Sequence, residues 1–184
     1  MKKIGLLLIL VLSVSFHIEA QKFFTRAGEI SFLSTAMAET IEAKNTSATC
    51  VIDLANGNIQ LAVLIKGFQF EKALMQEHFN ENYMESDQFP KAKFKGKIIN
   101  IESVDLSKEG NYTIQVKGDL TIHGVTQNVS STGEINILDG QLTTTSSFEV
   151  AVADYNISIP SVVREKIAKK VIISIKANLE ELKK

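Results

Sequence analysis

Few side chains beyond residue 20 could do chemistry: His78 and His123, the single cysteine Cys50, and hydroxyls and carboxylates spread along the chain. A metal centre takes three or four converging His, Cys or carboxylate ligands, and these candidates sit in separate segments, so none is expected. Nucleophilic catalysis also lacks its motif. No Gly-x-Ser-x-Gly occurs, and Glu77 beside His78 has no serine partner in its own stretch. The paired Glu180-Glu181 fall in a charged tail that reads as solvated surface. Cys50 lies between Ala48 and Ile52 in an alternating apolar run, the pattern of a buried thiol, and as the only cysteine it can form no intramolecular disulfide. Asp119, Thr121 and nearby backbone offer His123 ample structural partners, whereas His78 stays open between a structural and a ligand-facing role. No catalytic residue, metal or cofactor is expected.

The elements that must position these groups are strands. Tyr112, Ile114 and Val116 alternate with Thr113, Gln115 and Lys117, and the alternation continues through Leu120 and Ile122, so one face is apolar and the other polar. Beyond Gly124, the odd-numbered residues Val125, Gln127, Val129, Ser131, Gly133, Ile135 and Ile137 set one face of a second strand. Runs of this kind cover residues 22–33, 41–54, 58–69, 92–106, 111–122, 125–138, 142–153 and 171–179. Turn chemistry joins several of them: Ala55-Asn56-Gly57-Asn58, Lys108-Glu109-Gly110-Asn111 and Asp139-Gly140. Most runs exceed the usual ~5–6 residues and would leave long edges in an open sheet. Closure removes those edges, which predicts an all-β fold: an eight-stranded antiparallel barrel of the lipocalin kind, wide enough for side chains or for one slender ligand. Two segments break the period. Residues 71–82 place Leu74, Met75, His78 and Phe79 on one stripe of a short α-helix inserted between the third and fourth strands. Residues 160–169, opened by Pro160, predict a short helix before the last strand.

The run Gly118-Asp119-Leu120-Thr121-Ile122-His123-Gly124-Val125-Thr126 resembles the most identifiable motif of the polyisoprenoid-binding YceI-like family. Three further pieces agree in order: Leu74-Met75-Gln76-Glu77-His78-Phe79, Phe89-Pro90-Lys91-Ala92-Lys93-Phe94, and Phe148-Glu149-Val150 followed by Ala153-Asp154-Tyr155. The resemblance spans roughly residues 23–179. It implies an elongated cavity that holds an isoprenoid chain; alternation by itself shows only that the interior is apolar. On that basis Phe94, Tyr112, Ile114, Val116, Leu120, Ile122, Phe148 and Val150 are the expected cavity wall, with Leu74, Met75, His78 and Phe79 at its entrance. Where many family members carry Arg-Asp-x-His, this chain has Met75-Gln76-Glu77-His78, so no charged contact is carried over from them. The implied act is non-enzymatic binding, sequestration or transport of a lipid-like amphiphile. Two alternatives stand beside it: a calycin-like barrel enzyme acting on an apolar substrate, and an envelope stress protein whose barrel is filled.

Met1-Lys2-Lys3, an apolar run from Ile4 to Phe16 too short to span a bilayer, and Ala20 before Gln21 read as a secretory signal peptide over residues 1–20. Residues 21–184 then form one barrel domain, exported to the periplasm or secreted, with no stable membrane insertion once the signal is cleaved. Removing Lys2, Lys3 and Glu19 from the 20 basic and 21 acidic residues leaves 18 against 20, a net charge of −2, which gives no electrostatic case for nucleic acid. A homodimer is left open. Four Asn-x-Ser/Thr triplets, at Asn45, Asn111, Asn128 and Asn156, match glycosylation acceptors but are given no weight, because such triplets are common by chance and the two-lysine signal peptide and the family resemblance imply a bacterial source.

Overall fold

His123 and Gly124 form the two-residue turn of a long hairpin in the computed structural model, which describes residues 22–182. The segment read as a signal peptide lies outside the described residues. In order, the strands are β1 (Lys22–Thr35), β2 (Thr40–Asp53), β3 (Asn58–Leu64), β4 (Gln69–Phe70), β5 (Lys91–Ile98), β6 (Gly110–Ile122), β7 (Val125–Leu138), β8 (Gln141–Ala151) and β9 (Lys170–Glu181), with one α-helix, α1 (Ala73–His78). β6 and β7 pair from Gly110 opposite Ile137 to Ile122 opposite Val125 without a slip. Both turn residues have positive φ, 49° at His123 and 73° at Gly124, the primed geometry whose twist matches the flanking strands. Asp139 (φ 50°) and Gly140 (φ 73°) repeat it between β7 and β8.

The sheet order β1-β9-β8-β7-β6-β5-β3-β2 closes through pairing of β2 with β1, and every pairing is antiparallel. Eight strands therefore make a closed barrel; β4 is a two-residue strip laid against Ala43 and Lys44 of β2. The barrel has no free long edge, as the strand lengths require.

Two strands end five or more residues sooner than alternation predicts, while the seventh expected strand stops two residues early at Ala151. The third expected strand stops at Leu64 and turns through a 3-10 segment, Ile65–Gly67, because the buried Asn45 side chain donates to the Leu64 carbonyl (3.0 Å) in place of a ladder bond. The fourth stops at Ile98. Beyond it the Asn100 side chain accepts from the Gln115 amide (2.8 Å) and donates to the Thr113 carbonyl (3.1 Å), so a side chain takes over the ladder positions and the backbone peels away. Ile101, Val104 and Leu106 then pack against the core at this end instead of continuing the wall.

That end of the barrel is filled. Cys50, Ile52, Leu54, Ile59, Leu61, Ile98, Ile114, Val116, Ile135, Ile137, Leu142, Ala177 and Leu179 form one buried cluster. The opposite end carries α1, its continuation as a π-helical turn (Phe79–Tyr83), and the 3-10 turn Ser161–Val163 that precedes β9. Both helical insertions thus sit where the broken period puts them, and both lie at the same mouth.

Candidate ligand cavity

Inward-facing residues in the half of the barrel near the helices keep accessible surface: Ala92, Phe94, Ile122, Phe148, Val171, Ile173 and Ile175 are only half-buried although they point into the wall's interior. The space they face is a cavity of about 550 Å³. Packing voids in protein interiors seldom exceed one water, and ligand sites run ~300–1,000 Å³, so a hole of this size is on the scale of a ligand site and far above that of a packing void. The barrel is filled at one end and hollow at the other.

Its wall is almost entirely hydrocarbon. Seven of the eight residues expected to line it do so: Phe94, Ile114, Val116, Leu120, Ile122, Phe148 and Val150. Tyr112 does not. Its side chain turns to the filled end, where the single hydroxyl proton is shared between the carbonyls of Asp105 (2.9 Å) and Lys108 (3.0 Å) and so fastens the loop that plugs the barrel. Strand parity places Tyr112 on the inner face correctly, but it lies too near the closed end to reach the cavity. Ile114 and Val116 are floor residues, shared between the cavity and the packed cluster.

Glycines shape one wall. Gly96 and Gly118 face each other across β5 and β6, and a Cβ on Gly118 would sit 2.4 Å from the Gly96 Cα and 2.9 Å from the Phe94 ring. The missing side chains leave the space that the Phe94 ring occupies against both strands.

Polar atoms are few. Ser131, Thr144 and Ser146 stand on the β7–β8 side, where the ladder ends at Gly133 opposite Ser146. Ser146 Oγ donates to the Thr132 carbonyl (3.0 Å) left over by that split and accepts from Ser131 Oγ (3.0 Å), and Thr144 Oγ1 donates to the Glu134 carbonyl (3.1 Å). Cys50 also lines the floor. Burial pushes its thiol up to about 12, which keeps it protonated and unreactive at neutral pH.

All four expected entrance residues, Leu74, Met75, His78 and Phe79, line the mouth. The helix that carries them is held from three directions. Gln76 Oε1 accepts from the Phe70 amide (3.3 Å), Lys72 Nζ lies 3.1 Å from Glu39 Oε1, and Phe79 packs in a cluster with Phe32, Phe68 and Phe70 at ring separations of 5.0–5.8 Å. Phe79 is therefore the anchor of the cover, whereas Leu74, 60% exposed, and the exposed His78 stand free at the opening. Sequence reasoning missed the aromatic partners. The even-numbered alternation of Ile30, Phe32 and Ser34, and of Phe68 and Phe70, is the signal that points to them.

His123 stays out of the cavity. Its Nδ1 lies 3.1 Å from the Tyr155 carbonyl and its Nε2 3.1 Å from Glu85 Oε2, while Phe89 meets the ring edge-on at 4.6 Å. The turn thus ties the end of the helical insert to the 3-10 segment Val152–Tyr155. His123→Ala removes two hydrogen bonds of ~0.5–1.5 kcal/mol each and an aromatic contact. A loss of about 2 kcal/mol, or roughly 4–8 °C in a thermal melt followed by circular dichroism, is expected, with ligand retention unchanged.

A model of the YceI-like domain family matches residues 13–179. No curated protein sequence is significantly similar to the chain. Among solved structures, a polyisoprenoid binding domain from Saccharophagus degradans, implicated in plant cell wall breakdown, superposes with a TM-score of 0.76 at 14% identity, over 89% of this chain and 99% of that one. BcnA of Burkholderia cenocepacia gives 0.67 at 17% identity, over 83% and 96%. A YceI protein of Campylobacter jejuni gives 0.57 at 15% identity, with both chains covered in full. At such identities the likeness is one of fold. The family match is another matter: it runs through the barrel from before β1 into β9, and by it the chain belongs to the YceI-like domain family.

Proposed function

We propose that this protein is a non-enzymatic binder of a long apolar chain, a polyisoprenoid or similar amphiphile, which it sequesters or carries outside the cytoplasm. The observation that supports the reading is the half-hollow barrel: about 550 Å³ of space behind a nearly unbroken hydrocarbon wall. Hydrocarbon burial is worth ~0.8 kcal/mol per methylene against ~4–15 kcal/mol for association, so a chain of several five-carbon units binds without a single hydrogen bond. An enzyme would need convergent polar groups, whereas at this wall Thr144 and Ser146 donate to backbone carbonyls and Ser131 bonds to the Ser146 hydroxyl. The structural neighbour described as polyisoprenoid-binding adds support from a shared fold. Export rests on Lys2-Lys3 and the short apolar run that follows them, with residues 21–184 as the mature domain.

A chain-length series tests the proposal. Isoprenoid alcohols of increasing length should displace a fluorescent fatty probe with affinity rising at least about tenfold per added five-carbon unit until the chain outgrows the cavity, then levelling. Affinity independent of chain length would sink the reading.

A further inference from the structure

The three most exposed large apolar side chains among the described residues are Met37 (96%), Val162 (87%) and Leu74 (60%). They come from three separate segments, the β1–β2 turn, the 3-10 turn before β9, and α1, and all three stand at the mouth of the barrel. Hydrogen bonds and an ion pair join these segments into one rim. The Ala38 amide donates to the Glu165 carbonyl (2.9 Å), the Ala168 amide to Ser34 Oγ (3.0 Å), and Lys72 pairs with Glu39 (3.1 Å).

Singly exposed apolar residues need no explanation, but the most exposed ones gathered around the opening of an apolar cavity do. They project from two turns and a helix at 60–96% exposure, which suits insertion into a soft layer better than a fit to a folded partner. Beside Val162, Arg164, Lys166 and Lys169 are exposed and none makes an ion pair among the described residues. Carboxylates are near too: Glu165 in the same loop, and Glu71, Glu77 and Glu81 on and around the helix. Cations therefore outnumber acids only on the Val162 side, which sets the side that meets negative charge.

We propose that this rim docks on the surface of a lipid bilayer, Met37, Val162 and Leu74 entering the headgroup layer while Arg164 and Lys169 meet anionic headgroups. A long apolar ligand then passes between bilayer and cavity without crossing water, a passage that rests on the lipid-binding reading; the docking itself does not. The outer wall is no part of the contact, since Lys91, Lys93, Lys95 and Lys97 face solvent along β5 where a membrane-spanning barrel would need an apolar band.

Sedimentation of the protein with vesicles of phosphatidylcholine alone, and of phosphatidylcholine with phosphatidylglycerol, tests this. The wild type should pellet with both, more strongly where phosphatidylglycerol is present, and that excess should fade with salt. Neither Met37 nor Val162 lines the cavity, so the double variant Met37→Ser/Val162→Ser should keep its extractable ligand yet lose at least about tenfold in vesicle affinity. Arg164→Gln/Lys169→Gln should lose only the phosphatidylglycerol preference. A wild type that pellets with neither vesicle, or a serine variant that pellets like wild type, overturns the proposal. Docking without any extractable or bindable apolar chain would uphold the rim and reject the lipid-binding reading instead.

Discussion

Ala92→Trp is expected to leave a folded barrel that no longer retains an apolar ligand. Ala92 on β5 stands opposite Val63, points into the cavity and is only half-buried there, so an indole at this position has space to enter. In a close-packed core the same substitution would cost ~1–3 kcal/mol or more in overpacking strain. In a cavity of about 550 Å³ the added volume displaces ligand instead. A graded series, Ala92→Val, Ala92→Leu and Ala92→Trp, should therefore lower ligand content stepwise at nearly constant melting temperature. Ile114→Trp is the contrast. Ile114 is 1% exposed and packs at the floor, where a Cβ on Gly133 would already lie 3.5 Å from its Cγ1, so the larger ring should destabilise the barrel outright. An Ala92→Trp protein that unfolds, or that retains as much ligand as wild type, would mean that the wall is not hollow at this point.

Phe79→Ala should be the most destabilising change in the cover. The ring touches Phe32, Phe68 and Phe70 and seats the helical insert on the barrel. Truncating a fully buried phenylalanine costs ~3–5 kcal/mol; Phe79 is half-buried, so a loss of about 2–3 kcal/mol is expected, which for a domain of this size is about 4–12 °C in the melting midpoint. Leu74→Ala, on the same helix but 60% exposed, should stay within about 0.5 kcal/mol of wild type. Ligand should leave both variants faster, Phe79→Ala because the cover loosens and Leu74→Ala because an apolar contact at the mouth is gone. Equal melting of Phe79→Ala and wild type would show that the aromatic cluster does not hold the helix.

Period-two alternation carries far here because one face of each strand looks inward and the other meets water, as with Ile114 and Val116 against Thr113 and Gln115. The same logic located the helical insert, where Leu74, Met75, His78 and Phe79 break the period. It could not locate strand ends. Those are decided by Asn45 and Asn100, single side chains whose amides replace ladder bonds through contacts 19 and 13 residues away in sequence. Nor does parity measure depth along the barrel. Tyr112 and Leu120 share a face of β6, but one fastens the plugged end and the other lines the cavity. Hollowness is invisible to alternation for a related reason: an inward side chain reads the same whether its neighbours touch it or stop short. Only the resemblance to a cavity-bearing family pointed to open space, and it could not say that half of the barrel would be filled.

Mass spectrometry of an organic extract of the purified protein tests the central claim most directly. A half-hollow hydrocarbon barrel predicts an apolar chain of one chemical class, near one molecule per barrel, that copurifies with wild type and is missing from Ala92→Trp. Wild-type protein that yields no extractable chain and takes up none from added polyisoprenoid would contradict it.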